Sequence, residues 1–292
     1  MIKNCFNYVG SKDRIFPIID RNLDKSKKVL VDLFCGSGVI GVNELANYEK
    51  VYLNDACWQL IKTLNYFKNV PTEEVVREIE ECVEKFNLSK TNKEGYDKLR
   101  DYYNNEACLK ENFDPVSFYC LATHSFNYNI HINSSGGFSV PFGANRSYLN
   151  SSLKSKMRNF QEVLSSNSKK IEILSESFTT FVKKLTQKEV RNTVFYCDPP
   201  YLSSDSSYGR IHYLGKWDAV KEKELLKTLD YIHILGGSFL LSNVLENNGK
   251  VNEVLTKWSK KYYIVEVGTD YENCNYQRKN IGKTKEVLIR NY

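Results

Sequence analysis

Short apolar runs alternate with amphipathic stretches in the first 70 residues of the chain. The run at 29–34, Val-Leu-Val-Asp-Leu-Phe, predicts a β-strand that ends at Gly36-Ser37-Gly38, and apolar residues at helical spacing follow this turn. Residues 51–53 predict a second strand, which ends in Asn54-Asp55, and a helix is expected at 58–68. Strand, glycine turn, helix and strand in this order indicate a βαβ unit.

The alternation returns in the last part of the chain. Strands are predicted at 170–174, 194–197, 238–241, 262–267 and 286–290, with a helix at 221–232. The middle of the chain lacks this alternation. Residues 72–112 are charged and helix-prone, and further helices are expected at 115–123 and 153–164. Residues 127–150 are rich in Asn, Ser, Gly and Tyr, a composition typical of loops or hairpins. We therefore predict an α/β domain of residues 1–70 and 168–292, interrupted by a mostly helical insertion at 71–167.

Composition adds a hint about the partner. The chain has 292 residues, and a hydrophobic content of 41% is typical of a folded protein. Its 20 Tyr and formal net charge of +6 are compatible with nucleic-acid binding but do not demonstrate it. Acidic residues predominate at 73–111, and basic residues predominate at 146–188 and 250–290. A positive face and an acidic back would follow if these stretches lay on opposite sides. Solvated helix faces are the simpler interpretation of 73–111.

Cysteines and histidines do not indicate a metal site. The eight cysteines contain no C-x-x-C pair, and the four histidines lie far apart, so we expect no metal and reduced thiols. The N-terminus lacks the long apolar core of a signal peptide, and no stretch approaches the roughly 20 apolar residues that span a bilayer. These features predict a cytoplasmic protein without a membrane partner.

The first motif that carries chemistry is Asp32-Leu33-Phe34-Cys35-Gly36-Ser37-Gly38. Ligands of open parallel sheets bind at the carboxyl ends of the strands, and glycine there lets the backbone approach them closely. Asp55, at the end of the next strand, is placed to accept hydrogen bonds from ribose hydroxyls. The third glycine of a dinucleotide pattern and a phosphate loop are both missing, which favours a mononucleoside such as S-adenosylmethionine over NAD or ATP. An ordinary tight turn is the alternative.

The second motif is Asp198-Pro199-Pro200-Tyr201, which follows the strand at 194–197. Two consecutive prolines fix φ and remove two N–H donors, so the backbone there is rigid and presents carbonyl groups. The Asp198 carboxylate and the Pro199 carbonyl can both accept from one exocyclic amino group, which exposes its nitrogen lone pair to a methyl donor. Tyr201 supplies a ring on which a planar base can stack.

In order and type, these motifs resemble the Dam-type, D12-class family of DNA adenine N6-methyltransferases. Tyr8-Val9-Gly10-Ser11-Lys12, Asp32–Gly38, Gly136–Gly143 (Gly-Gly-Phe-Ser-Val-Pro-Phe-Gly) and Asp198–Tyr201 occur in the family's order over essentially the whole chain. The resemblance implies a Rossmann-like S-adenosylmethionine-dependent methyltransferase sheet with an inserted, mostly helical target-recognition domain. It implies a cofactor site and a catalytic site, with these residues: Tyr8, Lys12, Asp32, Phe34, Gly36, Gly38, Asp55 and Asp198 for the cofactor, and Asp198, Pro199, Pro200 and Tyr201 for catalysis.

Two departures bear on the DNA sequence that is read. The N-terminal motif has Tyr8 and Ser11 where Dam has Trp and a second glycine, and Ala144 stands where GATC-reading relatives carry arginine, with Arg146 two positions later. Arginine is the usual reader of guanine, so GATC specificity is in doubt. Candidate DNA contacts, each of which is also explained by turn formation or by the surface, are Asn127, Asn129, His131, Asn133, Pro141, Asn145 and Arg146.

The resemblance implies a mechanism with no covalent intermediate and no metal. Duplex DNA binds, the target adenine leaves the helix, and the methyl group transfers directly to its N6 atom. Cytosine N4 methylation, glutamine methylation of proteins and a catalytically inactive DNA-binding subunit are the alternatives, and Asp rather than Ser or Asn at position 198 favours adenine. A monomer is expected, either with a separate cognate restriction endonuclease or as a solitary or phage enzyme.

Two further segments have open interpretations. Ser242-Asn243, after the strand at 238–241, is either a ligand-edge pair or a strand-ending turn. The segment Tyr276-Gln277-Arg278-Lys279, with Lys283 and Lys285, is either a phosphate contact or a solvated loop.

Overall fold

The computed structural model describes residues 1–7, 10–202, 211–267 and 284–292. The strands of these ranges form one eight-stranded, mostly parallel sheet. They are β1 (Val29–Asp32), β2 (Lys50–Asn54), β3 (Ile171–Leu174), β4 (Thr193–Cys197), β5 (Ser238–Asn247), β6 (Lys250–Val251), β7 (Tyr263–Glu266) and β8 (Thr284–Arg290).

The α-helices of the described ranges alternate with these strands, except in the middle of the chain, where several follow one another. They are α1 (Phe16–Asn22), α2 (Val39–Asn43), α3 (Trp58–Asn69), α4 (Thr72–Lys85), α5 (Lys93–Tyr102), α6 (Pro115–His124), α7 (Ser151–Ser166), α8 (Phe178–Lys184), α9 (Gln187–Arg191), α10 (Ala219–Ile234) and α11 (Glu253–Ser259). One-turn 3-10 helices lie at Lys12–Arg14, Phe126–Tyr128 and His212–Leu214.

The strand order is β3-β2-β1-β4-β5-β8-β7, with β6 paired to β5. Strands β1 to β5 are parallel, whereas β8 pairs antiparallel with both β5 and β7. From β1, the strands β2 and β3 extend the sheet to one side, whereas β4 and β5 extend it to the other. Open α/β sheets bind ligands at the point where the strand order changes direction in this way, here between β1 and β4. In that register Asp32 lies opposite Tyr196, so the ends of β1 and β4 adjoin.

Alternate residues of the central strands lie on opposite faces of the sheet, and both faces are buried. Leu30, Val194 and Leu240 belong to one apolar cluster, while Val31 and Phe195 belong to a second one on the other face. Because both faces are covered by helices, the parallel strands are continuous apolar runs rather than alternating ones. The α/β sheet that the sequence predicts is therefore confirmed, and helices α3 to α7 lie in the chain between β2 and β3.

The helical region between α3 and β3 shares its core with one face of the sheet. Phe6 near the N-terminus and Phe67 of α3 pack against Tyr119 of α6, with ring centroids 5.2 and 5.4 Å from the Tyr119 ring. Every residue of α6 from Val116 to His124 is buried, as expected for a helix that is apolar on all sides. The region is thus attached to the sheet through a continuous core.

The structure decides one question that the sequence left open and adds two short helices. The acidic and basic stretches do not lie on opposite sides, because α7 packs beside α4 and Lys154 and Arg158 form ion pairs with Glu80 and Glu73, at 2.8 Å for the first pair. Helices α8 and α9 were not expected. Both are short, and side-chain caps from Ser177 and Thr186 rather than a long apolar periodicity define them.

Seven cysteines lie in the described ranges, and all seven are buried free thiols. No helix in these ranges is long and apolar enough to span a bilayer. No cluster of three or more His, Cys, Asp or Glu side chains within them is arranged to bind a metal.

Candidate active site

Asp198 is placed by the end of β4, and Lys12 reaches it from the one-turn helix near the N-terminus. The Lys12 Nζ lies 2.8 Å from the Asp198 Oδ2, and both side chains are largely shielded from water, at 12% and 18% exposure. The Tyr201 hydroxyl lies 3.1 Å from the Asp198 Oδ1, and Lys12 lies over the Tyr201 ring, 5.1 Å from its centroid. Three residues that the sequence assigned to the site from two distant segments are therefore in contact.

The strands β5 and β8 complete this cluster with Ser242, for which the sequence left a ligand-edge role open, and with Glu286, which the sequence did not assign to the site. The Tyr201 hydroxyl lies 3.4 Å from the Ser242 Oγ and 3.2 Å from the Glu286 Oε1, and the Lys12 Nζ is 4.0 Å from the same oxygen. Glu286 has one signal in the sequence, since it is an acidic residue at the start of a run that is otherwise apolar. Ser242 lies inside β5, which continues to Asn247, so the interpretation as a strand-ending turn was wrong.

Burial and charge act in opposite directions on the carboxyl group of Asp198. Removal from water raises its pKa above the usual range, while the Lys12 ammonium lowers it and Glu286 raises it further. Burial also raises the pKa of the Tyr201 phenol well above its ordinary value, with Asp198 and Glu286 contributing in the same direction. Tyr201 is therefore a neutral hydrogen-bond donor at neutral pH.

The glycine turn after β1 is held by Asp55, which follows β2. The Asp55 carboxylate accepts hydrogen bonds from the backbone N–H groups of Gly36, at 2.9 Å, and Cys57, at 2.8 Å. Gly36 and Gly38 have φ of +50° and +75°, which favours glycine at both positions. A Cβ atom added to Gly36 would meet no atom of the described residues within 4 Å, which leaves room among them for a ligand beside this turn.

Asp32 lies deeper than the rest of its motif. It is 1% exposed, and its carboxylate accepts a hydrogen bond of 3.3 Å from the N–H of Gly41 in α2. Burial raises the pKa of Asp32 well above its ordinary range, and the neighbouring carboxyl groups of Asp198 and Asp55 act in the same direction. The structure places this side chain beneath the site, where it braces α2 against β1.

Three aromatic rings pack together at the glycine motif that follows β1, and one of them, Phe34, belongs to the motif. Phe34, which follows β1, lies 5.4 Å from Phe178 at the start of α8 and 5.8 Å from Trp217, measured between ring centroids. The Trp217 indole N–H donates a hydrogen bond of 2.7 Å to the buried Glu222 carboxylate. The same carboxylate accepts a hydrogen bond of 3.2 Å from the Asn243 side chain. Phe178 and Trp217 were not among the predicted site residues, because isolated aromatic residues in a sequence carry no signal of their partners.

The predicted DNA contacts differ widely in exposure. Asn129 is buried, and the side chain of Asn133 accepts from the N–H groups of Ser135 and Gly137, as a turn former does. His131 and Asn127 are half-buried, and Asn127 has a φ of +54°. The exposed members of the set, all on the irregular segment between α6 and α7, are Pro141, Asn145 and Arg146.

Other predicted positions lie outside the described residues or have local partners. Tyr8, the segment 276–279 and Lys283 are outside the described ranges. Lys285 forms an exposed ion pair of 2.6 Å with Glu266 of β7. The Arg146 guanidinium lies over the Phe126 ring, 5.9 Å from its centroid, and remains exposed.

The mostly parallel sheet with an acidic-proline motif at its carboxyl edge defines a Rossmann-like methyltransferase fold. Comparison with known proteins agrees, since the model of the D12 class N6 adenine-specific DNA methyltransferases matches residues 8–273. The chain belongs to this family. This confirms the resemblance that its four ordered motifs indicated.

Relatives named as DNA methyltransferases match all or most of the chain. It is 36% identical to the Type II methyltransferase M.FokI of Planomicrobium okeanokoites over 296 residues and 32% identical to the modification methylase StsI of Streptococcus sanguinis over 301 residues, and it spans 43% of the length of each. It is also 25% identical over 226 residues to a DNA adenine methylase of Haemophilus influenzae, an alignment that covers 76% of this chain and 72% of that protein.

Proposed function

We propose that this chain transfers a methyl group from S-adenosylmethionine to the N6 atom of an adenine in duplex DNA. The observation that carries the proposal is the contact of Lys12 with Asp198 at the carboxyl edge of β4, beside the open glycine turn of β1. Family membership supports the same reaction, and Asp at position 198 favours adenine over cytosine as the acceptor.

The residues at the edge of the sheet fit S-adenosylmethionine. Gly10 and Gly36 both have positive φ, and among the described residues a Cβ atom on either one would meet nothing within 4 Å, which supports close approach of a ligand to the backbone there. Asp55 is fixed by two backbone N–H groups and keeps lone pairs for ribose hydroxyls. Lys12, Asp198 and Glu286 sum to a formal charge of −1, which favours a cationic sulfonium.

The cofactor supplies a methyl group activated by its positively charged sulfur. The protein's part is to orient the acceptor amine, and the Asp198 carboxylate and the Pro199 carbonyl can accept its two hydrogens. Lys12 and Tyr201 contact one Asp198 oxygen each, and each oxygen keeps a second lone pair that can accept from the amine. A base that stacks on Tyr201 must use the ring face opposite Lys12 or displace that ammonium.

Residues 71–167 are proposed as the part that recognises DNA. The irregular segment between α6 and α7 exposes Pro141, Asn145 and Arg146, and its Phe126 ring lies under the Arg146 guanidinium. Exposed cationic and amide side chains on such a segment can reach base edges and phosphates. The target adenine has to leave the helix, because its amino group is paired inside the duplex.

The decisive experiment is transfer of a tritiated methyl group to unmethylated DNA, followed by nucleoside analysis. We expect N6-methyladenine with the wild-type chain and none with Asp198→Asn. The matched control is Asp101→Asn, at an exposed carboxylate of α5 far along the chain from the motif, and it should retain wild-type activity. No transfer to any unmethylated DNA would refute the proposal, and N4-methylcytosine as product would refute the assignment of the base.

The biological setting is proposed from the relatives. M.FokI and StsI are named as a Type II methyltransferase and a modification methylase, and we propose a restriction-modification role with a cognate endonuclease that acts separately. We further propose that the enzyme acts inside the cell as a monomer. Methylation-sensitive sequencing of plasmid DNA from a host that expresses the chain would give the recognition site, and sedimentation would give the oligomeric state.

A further inference from the structure

A buried carboxylate outside the Asp198 cluster connects four parts of the chain. Glu222 of α10 is 0% exposed, and its Oε2 accepts a hydrogen bond of 2.7 Å from the Trp217 indole N–H. Its Oε1 accepts from the Asn243 side chain of β5 at 3.2 Å and from that of Asn252, the N-cap of α11, at 3.1 Å. One side chain of α10 therefore fixes β5, the start of α11 and the Trp217 ring together.

The charge of Glu222 is unfavourable for packing alone. Burial raises the pKa of its carboxyl group above the usual value, and hydrogen bonds from its three side-chain donors act in the opposite direction. These donors, one indole and two amides, are neutral, and no cation of the described residues helps to hold the charge. Because a buried carboxylate is often less stable than an apolar side chain of the same volume, the contacts that it makes require another explanation.

The Trp217 ring packs beside the glycine motif that follows β1. Its centroid lies 5.8 Å from that of Phe34 in the motif and 6.0 Å from that of Phe178 at the start of α8. All three residues are half-buried, so part of this aromatic surface is exposed. Partly exposed rings beside a glycine turn with free space suit a planar ligand, because a flat base packs against the rings while its edge bonds to polar groups.

The segment that carries Trp217 is fixed at its other end beside β2. The Tyr213 hydroxyl donates a hydrogen bond of 2.6 Å to the Oε1 of Gln59, which is 0% exposed and lies in the first turn of α3, shortly after Asp55. Residues 213–217 therefore extend from the end of β2 to the end of β1, across the edge where the proposed cofactor site lies. Buried polar side chains hold both ends of this segment.

We infer that Trp217 contacts the adenine base of S-adenosylmethionine and that Glu222 is the positioning residue that holds its indole against that base. This inference rests on the proposed function. The base is assigned to the cofactor rather than to the target nucleotide because the rings adjoin the glycine motif. The target base is proposed to stack on Tyr201, which belongs to the Asp198 cluster.

The first test measures the binding of S-adenosylhomocysteine by calorimetry, which requires neither DNA nor turnover. We expect the dissociation constant to rise about fivefold in Glu222→Gln, which keeps one acceptor oxygen, and roughly tenfold in Glu222→Ala. Trp217→Phe should retain most of the affinity because a ring remains, whereas Trp217→Leu should lose roughly tenfold. Trp217 precedes α10, so its variants keep the inference testable if a Glu222 variant does not fold.

The chain offers a matched control in a pair of the same kind. The Trp258 indole donates to the Asp230 carboxylate at 2.8 Å, and its ring packs on Phe239 and Tyr262 rather than on the glycine motif. Trp258→Phe and Asp230→Asn should bind S-adenosylhomocysteine within about twofold of wild type. Equal losses of affinity in the two pairs would indicate a general effect on folding and would overturn the inference.

Indole N–H signals in heteronuclear NMR report the contact directly, and Trp217→Phe identifies the Trp217 signal. S-adenosylhomocysteine should shift this signal more than those of Trp58 and Trp258. Glu222→Gln should move it upfield, because a neutral acceptor forms a weaker hydrogen bond than a carboxylate. A Trp217 signal that the ligand leaves in place would overturn the inference.

Steady-state kinetics separate positioning from a general loss of structure. In Glu222→Gln, the KM for S-adenosylmethionine should rise about fivefold, with kcat and the KM for DNA within about twofold of wild type. Weaker DNA binding with unchanged affinity for S-adenosylhomocysteine would assign the rings to the target base and overturn the inference. Failure of the wild type to bind S-adenosylhomocysteine would refute the proposed cofactor as well, whereas equal binding by wild type, Glu222→Ala and Trp217→Leu would overturn the inference alone.

Discussion

The carboxylate of Asp55 accepts a hydrogen bond of 2.9 Å from the backbone N–H of Gly36, so the residue that follows β2 fixes the turn that follows β1. The neighbouring N–H of Cys57 donates to its other oxygen at 2.8 Å. A side chain proposed to bind the cofactor therefore also shapes the backbone that the cofactor would approach.

Replacement of Asp55 by Ala should affect both stability and ligand binding. Loss of two hydrogen bonds to a half-buried carboxylate should lower the free energy of unfolding by about 1–3 kcal/mol, and S-adenosylmethionine should bind at least roughly tenfold more weakly. Calorimetry of binding and chemical denaturation measure the two effects. Asp55→Asn retains an acceptor for one N–H and should fall between. Unchanged affinity in the folded Ala variant would contradict the ribose-binding role.

Replacement of Lys12 by Met should shift the pH dependence of methyl transfer. The Lys12 ammonium lowers the pKa of Asp198, so without it the carboxylate takes up a proton at higher pH. The acidic limb of kcat/KM should therefore move to higher pH, and the rate at neutral pH should fall. Lys12→Arg keeps the charge and should leave the limb near its wild-type position. A limb that moves equally in both variants would argue against the ion pair.

Replacement of Tyr201 by Phe tests the ring and the hydroxyl separately. Phe keeps the surface for stacking and loses the donor that contacts Asp198 and Glu286, so we expect kcat to fall by roughly tenfold with DNA affinity retained. Tyr201→Ala removes both and should lose activity by a further factor of roughly ten or more. The measurement is single-turnover methyl transfer. Equal losses in Phe and Ala would show that the ring contributes nothing to the step.

Replacement of Arg146 by Ala should weaken DNA binding and its salt dependence. If this exposed guanidinium contacts a phosphate, the slope of log K against log salt should fall by about 1, and binding should weaken on every sequence. If it reads a base, the loss should be confined to the recognition site. Fluorescence anisotropy at several salt concentrations distinguishes these results. Arg77→Ala in the acidic helix α4 is the control, and equal losses in both variants would exclude a specific role for Arg146.

Local sequence was sufficient for the elements that carry the motifs. The runs before Gly36 and before Asp198 are short and mostly apolar, so the strands β1 and β4 could be predicted from them, with ends that differ from the structure by one or two residues. The mostly helical middle was equally evident, since α4 shows a clear apolar face and α6 is apolar on all sides. Family motifs then placed Lys12 and Asp198 at one site.

The contacts between distant segments were decided by the tertiary structure. The pairing of β8 with β5 brings Glu286 and Ser242 beside Tyr201, and the packing of α7 beside α4 joins two stretches of opposite charge. A single sequence does not encode such partners in its local pattern, because their order in space depends on which strands pair and which helix faces meet.

The sequence by itself determined the α/β alternation, the glycine turn and the acidic-proline loop, because backbone propensity and hydrophobic period act over a few residues. Only the tertiary structure decided that Asp198 shares Lys12 and Tyr201 with Glu286, and that Asp55 holds Gly36. The physical reason is that a hydrogen bond or ion pair needs a few ångströms of separation, and only the assembled sheet brings these atoms that close.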